Sequence, residues 1–212
     1  MENDEDTLAL WPNKFQLEYT VFLTAASLSC SLAIFNVDSK PWNFTALLHS
    51  YFLLPSIFSL QVLGMNNLSR KDQISGQDVN IDFIDKVADN GNPGPYNEAR
   101  DVITIEREVD RIYMVDHEQS GSVPTITLKN NDEGLVNIAF RTSMEEESGS
   151  LCTPGKMDCV LWNPWIAKSQ AMGDFGDEEY LNMVCVEPGS VLEPVSINPG
   201  QKYTLETTIS PL

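Results

Sequence analysis

The sequence predicts an all-β fold in which two sheets pack as a sandwich. About ten short segments alternate apolar and polar residues with the two-residue period of strands. Signals for turns, rich in Gly, Pro and Asn, separate these segments, and helical periodicity is almost absent. The 212 residues are 42% hydrophobic, which suits one all-β domain over residues 11–212 after an acidic, solvated tail at 1–10.

The first strands are predicted as a hairpin. Residues 15–23 and 28–34 alternate on either side of a turn at 24–27. Residues 44–54 follow as a third strand, and their nearly continuous apolar character predicts that both of its faces are covered.

His49 interrupts this third apolar segment, where it shares a strand face with Leu47 and Tyr51. One interpretation is a core histidine that a backbone carbonyl satisfies. The other is a general acid, because an unperturbed histidine pKa of about 6.5 allows proton donation near neutral pH.

The middle of the chain predicts further short elements. Residues 66–80 and 142–157 are polar or acidic and predict exposed loops, while Trp165 to Met172 predicts one or two helical turns. Further ordered pieces are predicted at 61–64, 83–87, 102–105, 108–115, 123–128, 135–140 and 203–209, with a turn region at 89–96. In 108–115, Asp110 shares a face with Ile112 and Met114, so it is either a solvent-facing carboxylate or an acid placed among apolar neighbours.

Glu187 is the second carboxylate in such a position. Residues 180–187 alternate, which puts Glu187 on the same face as Met183 and Cys185, and the pair Pro188 and Gly189 predicts the end of the strand. The side chain either turns to solvent or lies among apolar groups. In the second case its pKa rises and proton transfer becomes feasible.

Composition excludes several classes of partner. The net charge of −18, from 31 acidic and 13 basic residues, argues against nucleic acid and against an anionic membrane surface. The acidic start lacks a signal-peptide pattern, so we expect a cytoplasmic protein with Cys30 and Cys185 as reduced core thiols. A disulfide between Cys152 and Cys159 is an open alternative.

Five stretches in order resemble the glucose-6-phosphate 1-epimerase family of the galactose-mutarotase-like superfamily. They are WPNKF at 11–15, LHSYF at 48–52, FIDK at 83–86, EVDRIY at 108–113, and the group WNPW at 162–165, MGDF at 172–175 and MVCVEPG at 183–189. The second and fourth match the family's L-H-T-Y-F and E-V/T-D-R-V-Y patterns, and the likeness runs from Trp11 to the C-terminus.

The resemblance implies a β-supersandwich with a sugar cleft on one face. It implies that His49 is the general acid, that Glu187 is the general base and that Asp110 orients sugar hydroxyls. The implied reaction interconverts the α and β anomers of a hexose 6-phosphate, the substrate, and needs no cofactor and no metal. For the full-length protein we expect a monomer.

The sequence also departs from the family. The family's chain is longer at its N-terminus, where it carries opening strands, phosphate-binding arginines and a further histidine, so this chain resembles a C-terminal portion. The missing arginines and the −18 charge predict weak binding of an anionic substrate and weak or no activity. Two other interpretations stay open: a carbohydrate-binding module without catalysis, and a sandwich that pairs with a partner protein through an open sheet edge.

Overall fold

The computed structural model confirms an all-β fold built of two sheets. It describes residues 1–74, 96–115, 124–131, 133–146, 148–152 and 157–212. The predicted ordered piece at 83–87 and nearly all of the turn region at 89–96 lie outside the described residues. Every strand pair in the described part of the chain is antiparallel.

The first sheet contains eight strands within the described ranges. They are β1 (Phe15–Leu23), β2 (Leu28–Asn36), β5 (Leu60–Leu63), β8 (Val102–Ile103), β10 (Thr125–Asn130), β11 (Glu133–Glu145), β12 (Leu151–Cys152) and β15 (Lys202–Pro211). Their spatial order is β1-β2-β15-β11-β10-β5-β8, and β12 also pairs with β11. The predicted hairpin is confirmed, because β1 and β2 pair directly along their whole length.

The second sheet contains seven strands among the described residues and carries the site discussed below. They are β3 (Trp42–Leu47), β4 (Ser50–Leu53), β6 (Ser69–Asp72), β7 (Tyr96–Asn97), β9 (Val109–Val115), β13 (Met157–Asn163) and β14 (Met183–Ile197). Their order is β3-β14-β13-β9-β6-β7, and β4 pairs with β14 beyond the end of β3. The helices are α1 (Glu5–Leu10), α2 (Trp165–Ala171) and the 3-10 turns Ile57–Ser59 and Glu179–Asn182.

Strand alternation divides the seven-stranded sheet into an inner and an outer face. On β14, Val184 and Val186 belong to the main core between the sheets, together with residues such as Ile138 of β11. Cys185 lies in a separate apolar cluster with Ile112, Val160, Trp162 and Met183, which partly buried Met172 and Phe175 cover. Residues at odd positions around 185 therefore face outward, away from the sandwich core.

The predicted third strand at 44–54 is wrong in two respects. The segment forms two strands, β3 and β4, which are interrupted at Leu48 and His49. It is also not covered on both faces, because 86% of the Leu53 side chain and 54% of Tyr51 are exposed. The two strands keep one register against β14, and the interruption lies opposite Pro188, which has no amide hydrogen to donate to the Leu48 carbonyl.

The predicted loop at 66–80 is also wrong in part, because β6 lies inside it. Arg70 of β6 is only 2% exposed, and its Nε lies 3.3 Å from Oε2 of the buried Glu98. The polar composition concealed a strand whose charged side chains pair inside the protein. Likewise, the predicted loop at 142–157 is shortened by β11, which continues to Glu145, and by β12.

The strand break predicted at Pro188 and Gly189 is wrong. β14 begins at Met183, after the 3-10 turn that replaces the predicted strand residues 180–182, and continues to Ile197. Proline lacks an amide hydrogen but keeps its carbonyl, and the Pro188 oxygen accepts a bond from the Leu48 amide at 3.0 Å. Glu187 consequently lies within a strand and not at its end.

The first ten residues are ordered, although they were expected to form a tail. Asp4 caps α1 through a reciprocal capping box with Thr7, and the Asn3 amide donates to the Phe15 carbonyl at 3.1 Å. No residue of α1 is buried, so this segment lies in solvent on the surface of the sandwich. Among the described residues, no helix is long and apolar enough to cross a membrane.

Candidate active site

The break between β3 and β4 sets the position of His49. The Ser50 amide donates to the Leu48 carbonyl at 3.1 Å, which closes a three-residue γ-turn with His49 at its centre. The Leu48 amide bonds to the Pro188 carbonyl on the other side of this turn. The turn therefore directs His49 out of the ladder at the point where β14 presents Glu187.

The structure brings His49 and Glu187 together. Nε2 of His49 lies 3.4 Å from Oε1 of Glu187 on the outer face of the seven-stranded sheet. The Glu187 side chain is 4% exposed, whereas 45% of the His49 side chain is open to solvent. The arrangement pairs a buried carboxylate with an imidazole that a ligand can reach.

Two aromatic rings hold the imidazole. The Tyr51 ring stacks on it with centroids 4.8 Å apart and planes 10° apart, and the Trp162 ring meets it edge-on at 5.8 Å. Tyr51 follows His49 by two residues, so strand alternation puts the two side chains on the same side of the sheet. These contacts restrict the His49 ring to an orientation in which Nε2 faces the carboxylate.

The surroundings shift the pKa values of both groups toward each other. Burial raises the pKa of Glu187 to about 7, and the negative charge of Asp110 adds to the rise. Burial lowers the pKa of His49 from its ordinary value of 6.5. Both shifts favour the neutral carboxyl group and the neutral imidazole over the ion pair, and the pKa of Glu187 comes close to neutral pH, where a group exchanges protons most effectively.

Asp110 lies on the same outer face as Glu187. Asp110 of β9 lies directly across from Trp162 of β13, and Trp162 lies across from Cys185 of β14. Glu187 follows Cys185 by two residues and therefore lies on the same face of the sheet. The Gln73 amide donates to Asp110 at 2.7 Å, and Nζ of Lys168 lies 3.6 Å from its other carboxylate oxygen. All three residues that the sequence singled out thus share one surface.

A cleft of about 540 Å³ is lined on one side by Tyr51, the residue that stacks on the His49 ring, whereas His49 and Glu187 are not among its lining residues. Its lining includes Tyr51, Leu53, Phe175, Asn182 and Met183. It combines an aromatic and apolar wall with polar groups at its rim, which is the usual character of a small-molecule site.

Three aromatic residues of the stretch 162–175 have different positions relative to this wall. Phe175 lines the cleft and Trp162 contacts the imidazole. Trp165 instead packs at the edge of the main core, against Phe58 and Tyr180.

Asn163 supports the site and was missed in the sequence. It is fully buried, and its Nδ2 donates to the carbonyls of Tyr180 and Met183 at 2.9 Å each, while its Oδ1 accepts from the Trp165 amide. The side-chain amide of Asn163 thereby links the first residue of α2 to the first residue of β14. The available signal was a polar residue at the end of a wholly apolar segment, since a buried amide needs partners.

Arg111 and the free cysteines do not line the cleft. Arg111, which belongs to the D-R-I-Y stretch, lies on the inner side of β9 with its Nε 3.0 Å from Asp72, and it does not face the cleft. Cys30, Cys159 and Cys185 are free thiols, as expected for Cys30 and Cys185. The alternative disulfide through Cys159 is therefore not formed.

Comparisons with known proteins agree with this architecture. A mutarotase from Salmonella typhimurium, titled as putative, aligns with all of this chain and 58% of its own, with a TM-score of 0.71 and 20% identity. A galactose mutarotase related enzyme from Lactobacillus acidophilus aligns with all of this chain and 66% of its own, with a TM-score of 0.66 and 13% identity. The fold is thus a galactose mutarotase-like sandwich.

Sequence comparison identifies the family. A family model described as "Aldose 1-epimerase" matches residues 1–210, and the chain belongs to this family. Two curated proteins named "Putative glucose-6-phosphate 1-epimerase" are each 28% identical to it. The protein from Cenchrus ciliaris matches over 94% of this chain and 51% of its own length, and the protein from Escherichia coli over 99% and 58%. The chain therefore spans a little over half the length of these relatives.

Proposed function

We propose that this chain carries the acid–base centre of a glucose-6-phosphate 1-epimerase, which interconverts the α and β anomers of a hexose 6-phosphate. The observation that carries the proposal is the 3.4 Å approach of His49 Nε2 to Glu187 Oε1 on the outer face of the sheet, where the half-exposed imidazole stacks on Tyr51 of the neighbouring cleft. The family match and the names of the two curated relatives support the reaction type and the substrate.

The proposed reaction opens and closes the sugar ring. Glu187 removes the proton of the anomeric hydroxyl while His49 protonates the ring oxygen, so the bond between C1 and the ring oxygen breaks and an aldehyde forms. The C1 carbonyl turns about the C1–C2 bond. The ring then closes on the other face of C1, with His49 taking the proton from the ring hydroxyl and Glu187 returning one to O1.

The position of the two groups suits this chemistry. The anomeric hydroxyl and the ring oxygen are bonded to the same carbon, so the base and the acid must lie within a few ångströms of each other. During each turnover the pair changes from a carboxylate with an imidazolium to a carboxylic acid with a neutral imidazole. The raised pKa of Glu187 and the lowered pKa of His49 both stabilise the second of these states relative to the first.

Asp110 has the role of orienting the sugar in this proposal. Its carboxylate is held by Gln73 and Lys168 on the same face as Glu187, so it can accept hydrogen bonds from sugar hydroxyls. We also propose a cytoplasmic location, with which the free thiols of Cys30, Cys159 and Cys185 are consistent.

An anomerisation assay tests the proposal. Freshly dissolved α-glucose 6-phosphate is mixed with the folded, monodisperse chain, and formation of the β anomer is followed by polarimetry. We expect a rate above that of buffer. Glu187→Gln should lower the enzymatic rate by about 10²–10⁴-fold. A rate equal to buffer for the original chain, or an unchanged rate for the variant, contradicts the proposal.

The matched control is Glu206→Gln. Glu206 lies on β15 of the other sheet, where it pairs with Arg141 at 2.9 Å, so its loss should leave the rate unchanged.

A second candidate is a carbohydrate-binding module without catalysis. The net charge of −18 opposes productive binding of an anionic substrate, and this favours a polypeptide that keeps the cleft but turns over slowly or not at all. Calorimetric binding of glucose 6-phosphate without anomerisation would select this candidate over the enzyme.

A further inference from the structure

We propose that His49, Cys185 and Glu187 form a binding site for a thiophilic divalent cation, with Zn²⁺ as the best-matched ion. The site overlaps the acid–base pair, and the metal is a competitor of the sugar and not a cofactor. The existence of the metal site does not depend on the proposed reaction, because it rests on the donor atoms alone.

The donor atoms are grouped as a metal requires. One nitrogen, one sulfur and one carboxylate oxygen all lie within 4.8 Å of one another. Tetrahedral zinc with bonds of about 2.0–2.3 Å brings its ligand atoms to roughly 3.3–3.8 Å from each other. The separation of 3.4 Å between His49 and Glu187 already meets this requirement, and the thiol has to approach by about 1 Å.

The strand geometry explains why the three donors converge. Cys185 and Glu187 are two residues apart on β14, so their side chains point to the same face. His49 comes from the γ-turn on the neighbouring part of the sheet. Two ligands from one strand and a third from an adjacent turn leave a fourth tetrahedral position for water or a small molecule, as in zinc sites with three protein ligands.

The electrostatic surroundings favour a cation. Asp110 lies on the same face, and the chain carries a net charge of −18. The half-exposed His49 side chain provides the route of entry. Coordination replaces the proton on the Cys185 sulfur by the metal, and that proton passes to the buffer.

Occupation by zinc has a direct consequence for sugar binding. The ion takes the same Nε2 and carboxylate oxygen that the proposed reaction uses, so neither group can exchange a proton with the sugar. Zinc should therefore raise the apparent KM for the sugar if the chain is active. This part alone rests on the proposed function.

Cobalt spectroscopy tests the site without reference to activity. The reduced 212-residue chain is titrated with Co²⁺, and we expect a near-ultraviolet thiolate-to-cobalt charge-transfer band together with the intense visible bands of tetrahedral Co²⁺. Equimolar Zn²⁺ should remove both. Cys185→Ala should abolish the charge-transfer band, and His49→Gln should weaken Co²⁺ affinity by more than about tenfold.

Cys159→Ala is the matched control. Cys159 is also a buried free thiol, but it lies in the main core on the inner face, so the variant should keep the band. Absence of the band in the original chain overturns the proposal, as does its persistence in Cys185→Ala. Binding of Co²⁺ by surface carboxylates alone gives no thiolate band and also overturns it.

If Cys185→Ala fails to fold, His49→Gln decides, because its side chain is half-exposed and its loss leaves the core intact. Unchanged Co²⁺ affinity in that variant rejects the site. A chain that shows the band but no anomerisation keeps the metal site and loses the proposed function.

Discussion

The rings of His49 and Tyr51 lie parallel, with centroids 4.8 Å apart and planes 10° apart. Tyr51 covers one side of the imidazole, and Trp162 meets it from the edge. This packing limits the rotation of the His49 ring and removes part of its surface from water. The stack therefore influences both the direction in which Nε2 points and the pKa of the imidazole.

Tyr51→Ala should raise the pKa of His49 toward its ordinary value. Burial is the largest cause of the lowered pKa, and loss of the tyrosine ring exposes the imidazole to water. NMR titration of the imidazole protons measures the change. The chain contains only His49 and His117, so two titration curves suffice.

Tyr19→Ala is the control for this titration. Tyr19 is similarly exposed, at 60%, but it lies on β1 of the other sheet. If Tyr51→Ala leaves the pKa of His49 where it was, the stack does not desolvate the imidazole.

Glu187→Gln should stabilise the protein at high pH. The folded-state pKa of about 7 lies above the ordinary value of 4.5, so between these pH values the folded chain binds more protons than the unfolded chain. Stability contributed by the neutral acid is therefore lost as pH rises toward 7, and the total is about 3 kcal/mol at 1.36 kcal/mol per pKa unit. The free energy of unfolding of the variant should exceed that of the original by about this amount at pH 8 and match it near pH 4.

Urea denaturation at several pH values measures this difference. Glu206→Gln, which alters a partly exposed carboxylate on the other sheet, should show a far smaller dependence on pH. A difference between Glu187→Gln and the original that stays constant from pH 4 to pH 8 would show that the carboxyl pKa is not raised by folding.

Gly189→Ala should destabilise the fold by about 1–3 kcal/mol. Gly189 aligns with Leu47, and an added methyl group would collide with the Ala46 carbonyl oxygen and with Leu47. Both obstacles belong to β3, whose end leads into the γ-turn at His49, so β3 must shift away from β14. Thermal or urea unfolding measures the loss.

Gly173→Ala provides the comparison, because an added methyl group there meets nothing within 4 Å. It should change stability by no more than about 0.5 kcal/mol, as surface substitutions usually do. Equal stability of the two variants would mean that β3 does not need the close approach at Gly189.

Val21→Lys combined with Phe22→Lys should reduce self-association. β1 ends the order of its sheet, and Tyr19, Val21, Phe22 and Leu23 are between 57% and 75% exposed, on both faces of the strand. Lysines on an edge strand oppose pairing with another chain. Light scattering against protein concentration measures the effect.

A single Val37→Lys change is the control, since Val37 is 51% exposed outside any strand. It should leave association unaltered. Equal association of the double variant and the original chain would show that the β1 edge is not the contact.

Local alternation in the sequence correctly predicted the first hairpin and the facing of side chains on β14. The alternation of residues 15–23 and 28–34 predicted the β1–β2 hairpin, and the alternation around Cys185 predicted which side chains share a face with Glu187. These predictions succeeded because the period of two is a property of each strand by itself. Motif resemblance, which requires only the order of residues, indicated the family.

Predictions failed where long-range pairing overrides local preference. Pro188 and Gly189 are typical of a strand end. In this sheet, however, Pro188 needs no partner for an amide hydrogen, and Gly189 has no side chain to keep β3 at a distance. β14 therefore continues through both residues. Arg70 looked like part of an exposed loop, since its buried partner Glu98 is distant in the chain.

The sequence by itself determined the fold class, the family and the three outward-facing residues His49, Asp110 and Glu187. The tertiary structure decided that His49 lies beside Glu187, that Tyr51 stacks on its ring and that the Cys185 sulfur lies within 4.8 Å of both groups. The reason is physical: alternation fixes the face on which a side chain lies, but only the common register of β3 and β4 against β14 sets His49 across from Glu187.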